Sequence, residues 1–180
     1  MNQNDLNHTF TSGGETELNS AIEQYGQPLL RYCHNILCDY YEAQDAVQIT
    51  FIKAYKKRKS FTSGTSLSAW LYRIAYTTCI DTLRKKKLLL IRHSYKNDDS
   101  TFMNEDLKAA LSTLSPQDRA LVFSRVIDEK NYTELEEIYR IPASTLRKRF
   151  ERAKKKLANE LKENNDYYEK LEERNENGSR

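Results

Sequence analysis

Between Pro142 and Lys156 the chain reads "PASTLRKRFERAKKK", with seven Arg and Lys residues against a single Glu. Guanidinium and ammonium groups at this density suit the binding of phosphate rather than bond-breaking chemistry. Leu146, Phe150, Ala153 and Leu157 recur at helical spacing and share one face. At about 100° per residue, Ser144, Lys148, Glu151, Arg152 and Lys155 fall on the opposite face, flanked by Arg147, Arg149, Lys154 and Lys156. A basic ridge therefore stands away from a packed stripe.

Other reactive side chains form no comparable pattern. Cys33 and Cys38 lie apart from Cys79, which gives neither a disulfide framework nor zinc spacing, and His8, His34 and His93 are scattered. There is no Gly-rich phosphate loop and no Ser, His and acid grouping. No enzyme activity, metal or cofactor is expected.

The elements that must position the ridge begin upstream of it. In "NYTELEEIYRIP", Thr133 and Glu136 stand at capping-box spacing, Leu135 and Ile138 form an inner face, and Ile141-Pro142 ends one helix and restarts the chain. A short helix, a tight turn and a longer basic helix make a helix-turn-helix, whose second helix enters the DNA major groove. Ser115, Pro116 and Asp118 start another helix before it, and Leu107, Ala110, Leu111 and Leu114 one more.

The first half is also helical. Leu18 to Ile36 follows a helical period with a break or kink expected near the residue before Pro28, a second helix spans about 41–59, and a third starts at Leu67 with Leu71, Ile74, Ala75 and Thr78 on one face. Between the last two, "SFTSGTSLS" reads as a loop.

The chain has 180 residues, 31% of them charged, and a net charge of +3, so affinity for nucleic acid must come from local clusters. No apolar run approaches the roughly 20 residues that span a bilayer, and no signal peptide is evident; a cytoplasmic protein without membrane insertion is expected. The fold expected is all-α: a loose tail over 1–16, a helical bundle over 17–87, a flexible linker over 88–104, a helix-turn-helix domain over 105–162 and a polar tail over 163–180.

The blocks "DAVQITFIKAYKK", "AWLYRIAYTTCIDTLRKKK" and "LSTLSPQDRALVFSRVIDEKNYTELEEIYRIPASTLRKRFERAKKKL" resemble, in order and separation, the two conserved regions of extracytoplasmic-function (ECF) sigma factors of the sigma-70 family. The resemblance implies an alternative sigma factor that recruits core RNA polymerase, with promoter DNA and an anti-sigma factor as further partners. Asp45, Val47, Gln48, Phe51 and Ile52 then fall on the surface that docks the clamp helices of the β′ subunit, and the second domain would meet the β flap. Ile49 stands where the family usually has an acid.

By the same resemblance the loop from Ser60 to Ser68 captures a flipped −10 base. Phe61, Gly64 and Thr65 are its pocket candidates, with Arg73, Tyr76 and Thr77 as further −10 contacts. On the basic ridge, Ser144, Thr145, Lys148 and Arg152 are placed to read −35 base edges or phosphates, and Arg147, Arg149 and Lys155 to hold phosphates. Glu136 and Arg140 depart from the family's small residue and turn Gly; Arg140 would be strained if the turn needs a positive φ.

A spacer of roughly 17 base pairs at about 3.4 Å each separates the two promoter elements by about 58 Å, which predicts independent domains. A stand-alone helix-turn-helix regulator leaves 17–87 unexplained. A sigma-like decoy for an anti-sigma factor is the other alternative.

Overall fold

A computed structural model describes residues 3–62, 65–90 and 105–177, with side chains over 6–62, 65–87 and 109–162. Every regular element among these residues is helical: α1 Gln3–Thr9, α2 Glu15–Leu37, α3 Tyr40–Lys57 with a 3-10 turn Arg58–Ser60, α4 Leu67–Leu90, α5 Glu105–Ser112, α6 Pro116–Val126, α7 Tyr132–Tyr139 and α8 Ala143–Asn177. Helices α2, α3 and α4 pack on one another as the first bundle; α5, α6 and α7 pack around or beside α8 as the second unit. The expected linker lies outside the described residues from 91 to 104.

Local chemistry sets most boundaries. Asp39 accepts from the Glu42 N–H (2.9 Å) and starts α3, just after Cys38 ends α2 in the left-handed region (φ 56°). Ser115 accepts from the Asp118 N–H with Pro116 in the first turn of α6, as the sequence predicts. The break expected at Pro28 does not occur: α2 runs through it. Tyr25, Leu29 and Tyr32, on either side of the proline, are buried, and their packing outweighs the missing backbone donor.

The N-terminus also departs from expectation. Residues 3–9 are helical, and Leu6 and Phe10 are buried to 0% and 1% exposure, so this segment belongs to the bundle rather than to a loose tail. At the other end α8 continues through most of the expected polar tail, to Asn177. No Gly or Pro interrupts 143–177, and the many Lys, Glu, Leu and Ala residues there favour the helix.

The two units are packed against each other, not independent. One continuous buried cluster includes Tyr32, Leu71 and Tyr72 from the first and Leu121, Phe123 and Ile138 from the second. At its centre the Tyr139 hydroxyl lies 3.1 Å from the Tyr32 hydroxyl and 3.0 Å from the Ser124 hydroxyl, all buried. The Arg119 guanidinium donates to the Ile36 carbonyl (2.8 Å), and the Lys130 ammonium sits 4.2 Å above the Tyr72 ring. The Asp128 carboxyl, beside Tyr72, is pushed up by burial against the opposing pull of Tyr72, Lys130 and Arg31.

Within the first bundle Cys33 and Cys79 are fully buried beside each other; the neighbouring Cys79 thiol and burial push the Cys33 thiol well above its ordinary range. Cys38 is half-buried. Among the described residues no helix is long and apolar enough to cross a membrane, and no His, Cys, Asp and Glu group could hold a metal ion.

Candidate nucleic-acid and partner surfaces

The helix-turn-helix is built from three caps. Asn131, rather than Thr133, starts α7: its Oδ1 accepts from the Thr133 and Glu134 N–H groups at 3.0 Å, while Glu134 accepts from the Asn131 N–H at 2.8 Å. The capping box is thus present two residues before its expected position, because Asn131 has the extended backbone a cap requires. Arg140 closes α7 at φ 56°, ψ 39°, donating its N–H to the Glu136 carbonyl. A side chain at this φ costs about 1 kcal/mol relative to Gly. The Glu136 carboxylate in turn accepts from the Ala143 N–H (3.1 Å) and so sits at the positive end of α8. The departures at Glu136 and Arg140 therefore both serve the turn that aims α8.

On α8 the stripe of Leu146, Phe150 and Ala153 is buried and Leu157 half-buried. Ser144, Thr145, Arg147, Lys148, Arg152 and Lys155 are exposed on the ridge. Arg149 is not part of the free ridge: it donates to Asp118 Oδ1 from Nη2 (2.8 Å) and Nε (3.2 Å), which ties α8 to the start of α6. Lys156 donates to the Thr113 carbonyl (2.6 Å). These tethers were not legible from helix periodicity, which places residues on faces without naming what an adjacent helix offers them.

On the first bundle α2 and α3 enclose an open groove of 570 Å³ whose lining includes Leu18, Ile22, Val47, Gln48, Phe51 and Ile52. Phe51 forms part of the buried core, whereas Ile49 and Ile52 are 40% and 54% exposed. Asp45 and Gln48 are exposed on the same helix. An apolar strip edged by polar groups results, which suits burial against a partner helix.

The loop after α3 is arranged differently from expectation. Phe61 is only 3% exposed, its ring lying 6.3 Å from Phe10 and 5.3 Å from Trp70, so it cannot stack on a base in this arrangement. The cause is the N-terminal segment, which fills the space the sequence reading left open. Thr65 is exposed and its hydroxyl donates to the Thr62 carbonyl (2.7 Å); Gly64 lies outside the described residues.

Along α4, Arg73 is half-buried and Thr77 is exposed, its hydroxyl directed to the Arg73 and Ile74 carbonyls. Tyr76 packs edge-on against Tyr139 at 4.9 Å, and burial raises its phenol despite the opposing Arg149 and Arg84 charges. Tyr76 thus faces the second unit.

Residues 21–88 match the family description sigma-70 region 2, and residues 104–157 match sigma-70 region 4. The ECF RNA polymerase sigma factor SigW of Bacillus subtilis is 25% identical over 172 residues, covering 84% of this chain and 92% of that protein. The ECF RNA polymerase sigma-E factor of Haemophilus influenzae is 28% identical over 138 residues, 65% of this chain and 73% of that one. In fold the chain is similar to the sigma factor RpoE bound to the anti-sigma factor NepR from Bartonella quintana (TM-score 0.68, 24% identity, 80% of this chain and 96% of the other). It is also similar to CnrH bound to the cytosolic domain of CnrY (TM-score 0.71, 20% identity, 89% and 97%).

Proposed function

This chain belongs to the ECF sigma factors of the sigma-70 family, alternative subunits that direct core RNA polymerase to specific promoters, and we propose that its faces divide that work. The unit 17–87 docks on the polymerase through the α2–α3 groove, with Ile49 and Ile52 supplying the apolar contact and Asp45 and Gln48 its polar edge. The loop 60–68 and the exposed side of α4 engage the −10 element. The unit 105–162 reads the −35 element with Ser144, Thr145, Lys148 and Arg152, while Arg147 and Lys155 hold phosphates. The protein performs no covalent chemistry and acts in the compartment of the polymerase.

The exposed basic ridge of α8 carries this proposal, because its opposite face is seated in the second unit and three caps fix its start. With α4 and α7 in contact, Tyr76 and the recognition helix cannot serve sites about 58 Å apart. Promoter binding therefore requires the two units to part.

An anti-sigma protein is the expected inhibitor. A 540 Å³ cleft between α2 and α6, whose lining includes Leu30, Arg31, His34, Val122, Val126 and Ile127, supports this: it is mainly apolar, with the Arg31 guanidinium on its wall to pair an acid of an amphipathic helix.

Run-off transcription with purified core polymerase and genomic promoter fragments tests the proposal. Discrete starts that require the protein, and weaken in a Lys148→Ala/Arg152→Ala variant with a shallower salt dependence, are expected. Absence of core binding would refute it.

A further inference from the structure

The basic ridge of α8 carries a single acid, Glu151, and it stands near the ridge's centre rather than at its edge. Measured from Ser144 at about 100° per residue, Glu151 falls about 20° to one side, with Lys155 about 20° and Lys148 about 40° to the other. Leu146, Phe150 and Ala153 are buried on the far side of the helix. Glu151 therefore faces outwards with the side chains assigned to the −35 element, and along the chain Lys148 and Arg152 bracket it.

The fold has no use for a carboxylate there. Glu151 pairs with Lys154 at 3.1 Å, but the two side chains are 62% and 59% exposed, and an open pair of this kind contributes little stability. By contrast, Asp118 holds Arg149, Glu134 completes the capping box of α7, and Glu136 accepts from the first turn of α8. Nor is Glu151 the group that orients the neighbouring cations. Arg152 Nε turns to the Lys148 carbonyl (3.4 Å), and the Arg147 guanidinium lies 5.0 Å from the centre of the Tyr132 ring.

A carboxylate in this place also works against DNA binding in general. It weakens the field that draws in phosphates, and alanine would serve the helix at least as well. What it brings to the major groove is a strong acceptor with no donor. Cytosine offers there only a donor, its N4 amino group, whereas guanine offers two acceptors and thymine an acceptor and a methyl group. Adenine pairs a donor with an acceptor and suits the amide of Asn or Gln instead.

We propose that Glu151 is a specificity-determining residue of the −35 surface, accepting a hydrogen bond from the N4 amino group of one cytosine in the major groove. The proposal rests on the assignment of the α8 ridge to the −35 element. The surrounding cations supply affinity for any duplex. The carboxylate subtracts from it wherever no amino group meets it, so discrimination comes from a bond gained at the right sequence and a repulsion at the wrong one.

The test uses the full chain assembled with core polymerase and the promoter fragment that gives the strongest run-off product. Each −35 base pair is replaced in turn by the other three, and binding is measured by competition against a duplex of unrelated sequence. For the unsubstituted chain one pair containing cytosine should be required, its replacement weakening binding by about 5- to 150-fold. Glu151→Ala should abolish that preference at that pair alone and tighten binding to the unrelated duplex. Glu151→Gln, close in shape, should favour adenine over cytosine at the same position. Neither variant should lower the melting temperature, because the side chain is exposed.

A cation held on the opposing guanine is tested separately with 7-deazaguanine at that pair, which removes the guanine N7 acceptor and keeps the cytosine amino group. The specificity lost in Glu151→Ala, taken as the ratio of promoter to unrelated duplex, should be the same on this template. If the difference between Glu151→Ala and the unsubstituted chain vanishes there, the carboxylate acts through a cation on guanine and the proposal is overturned. An identical base-pair profile for Glu151→Ala and the unsubstituted chain overturns it too. If no −35 pair matters to the unsubstituted chain, or Lys148→Ala/Arg152→Ala binds as it does, the −35 assignment of α8 falls, and this proposal with it.

Discussion

Removing one oxygen atom, in Tyr139→Phe, should open the molecule. The Tyr139 hydroxyl is the one group that hydrogen-bonds both to the partner unit, through Tyr32 at 3.1 Å, and within its own unit, through Ser124 at 3.0 Å, in the central buried hydroxyl cluster. In the closed arrangement the substitution leaves the fully buried Tyr32 hydroxyl without this partner, at a cost of about 1–3 kcal/mol. In the open arrangement water solvates that hydroxyl and the cost vanishes. Ser124 can turn its hydroxyl to a carbonyl of its own helix, so it adds little. The closed-to-open ratio should thus fall by a factor of about 5–150. Burial pushes both phenols up, so both stay protonated near neutrality and the effect should not change with pH there.

Small-angle scattering of the free protein should show a larger radius of gyration for Tyr139→Phe. Tyr32→Phe should act in the same direction. The double variant, with neither hydroxyl stranded, should open less than the sum of the two. Strict additivity, or an unchanged radius in both single variants, would refute the claim that this buried pair holds the units together.

Three further outcomes are expected. Arg140→Gly relieves the left-handed backbone at the turn and should raise unfolding free energy by up to about 1 kcal/mol in a denaturant titration while leaving −35 binding intact. Ile52→Lys, at a side chain already 54% exposed, should leave the melting temperature nearly unchanged but reduce affinity for core polymerase at least about tenfold in a binding titration. For Asp128 the folded carboxyl titrates above the unfolded one, so its ionisation opposes folding. The penalty is absent at pH below the unfolded value and develops fully as pH rises through the raised one. Melting curves of Asp128→Asn should match the parent in acid and exceed it towards neutrality.

Much of the second unit was legible because its signals are local. The Leu146, Phe150 and Ala153 stripe follows from a period of 3.6, and Ser115-Pro116 from cap chemistry confined to four residues. Thr133 misled because two overlapping stretches, at 131–134 and 133–136, both have capping-box spacing, and only backbone geometry selects Asn131. Pro28 misled because a lost hydrogen bond is local whereas the burial of Leu29 and Tyr32 that offsets it is tertiary.

The N-terminal segment was missed for a related reason. Leu6 and Phe10 are isolated apolar residues in polar sequence, and their value depends on Phe61 and Trp70, far along the chain. The interface between units was least legible of all. Tyr32 and Tyr139 lie 107 residues apart, and a tyrosine on a helix face suits core, surface and interface alike. The same contact removes Tyr76 from the open surface, and Asp118 occupies Arg149, so the candidate −10 and −35 sets could be named from sequence but not their availability.

The sulfur atoms supply an internal clock. Cys38 is partly open to solvent, whereas Cys33 and Cys79 face each other inside the first bundle with protons held tightly on Cys33. A thiol-specific reagent in excess should therefore consume one equivalent promptly and the remaining two only as α2 and α4 separate. Both thiols adjoin Tyr32, whose hydroxyl meets Tyr139 of the second unit, so the slow phase reports opening of the interior around that interface. Opening of this interior can then be followed in a chain with no added label.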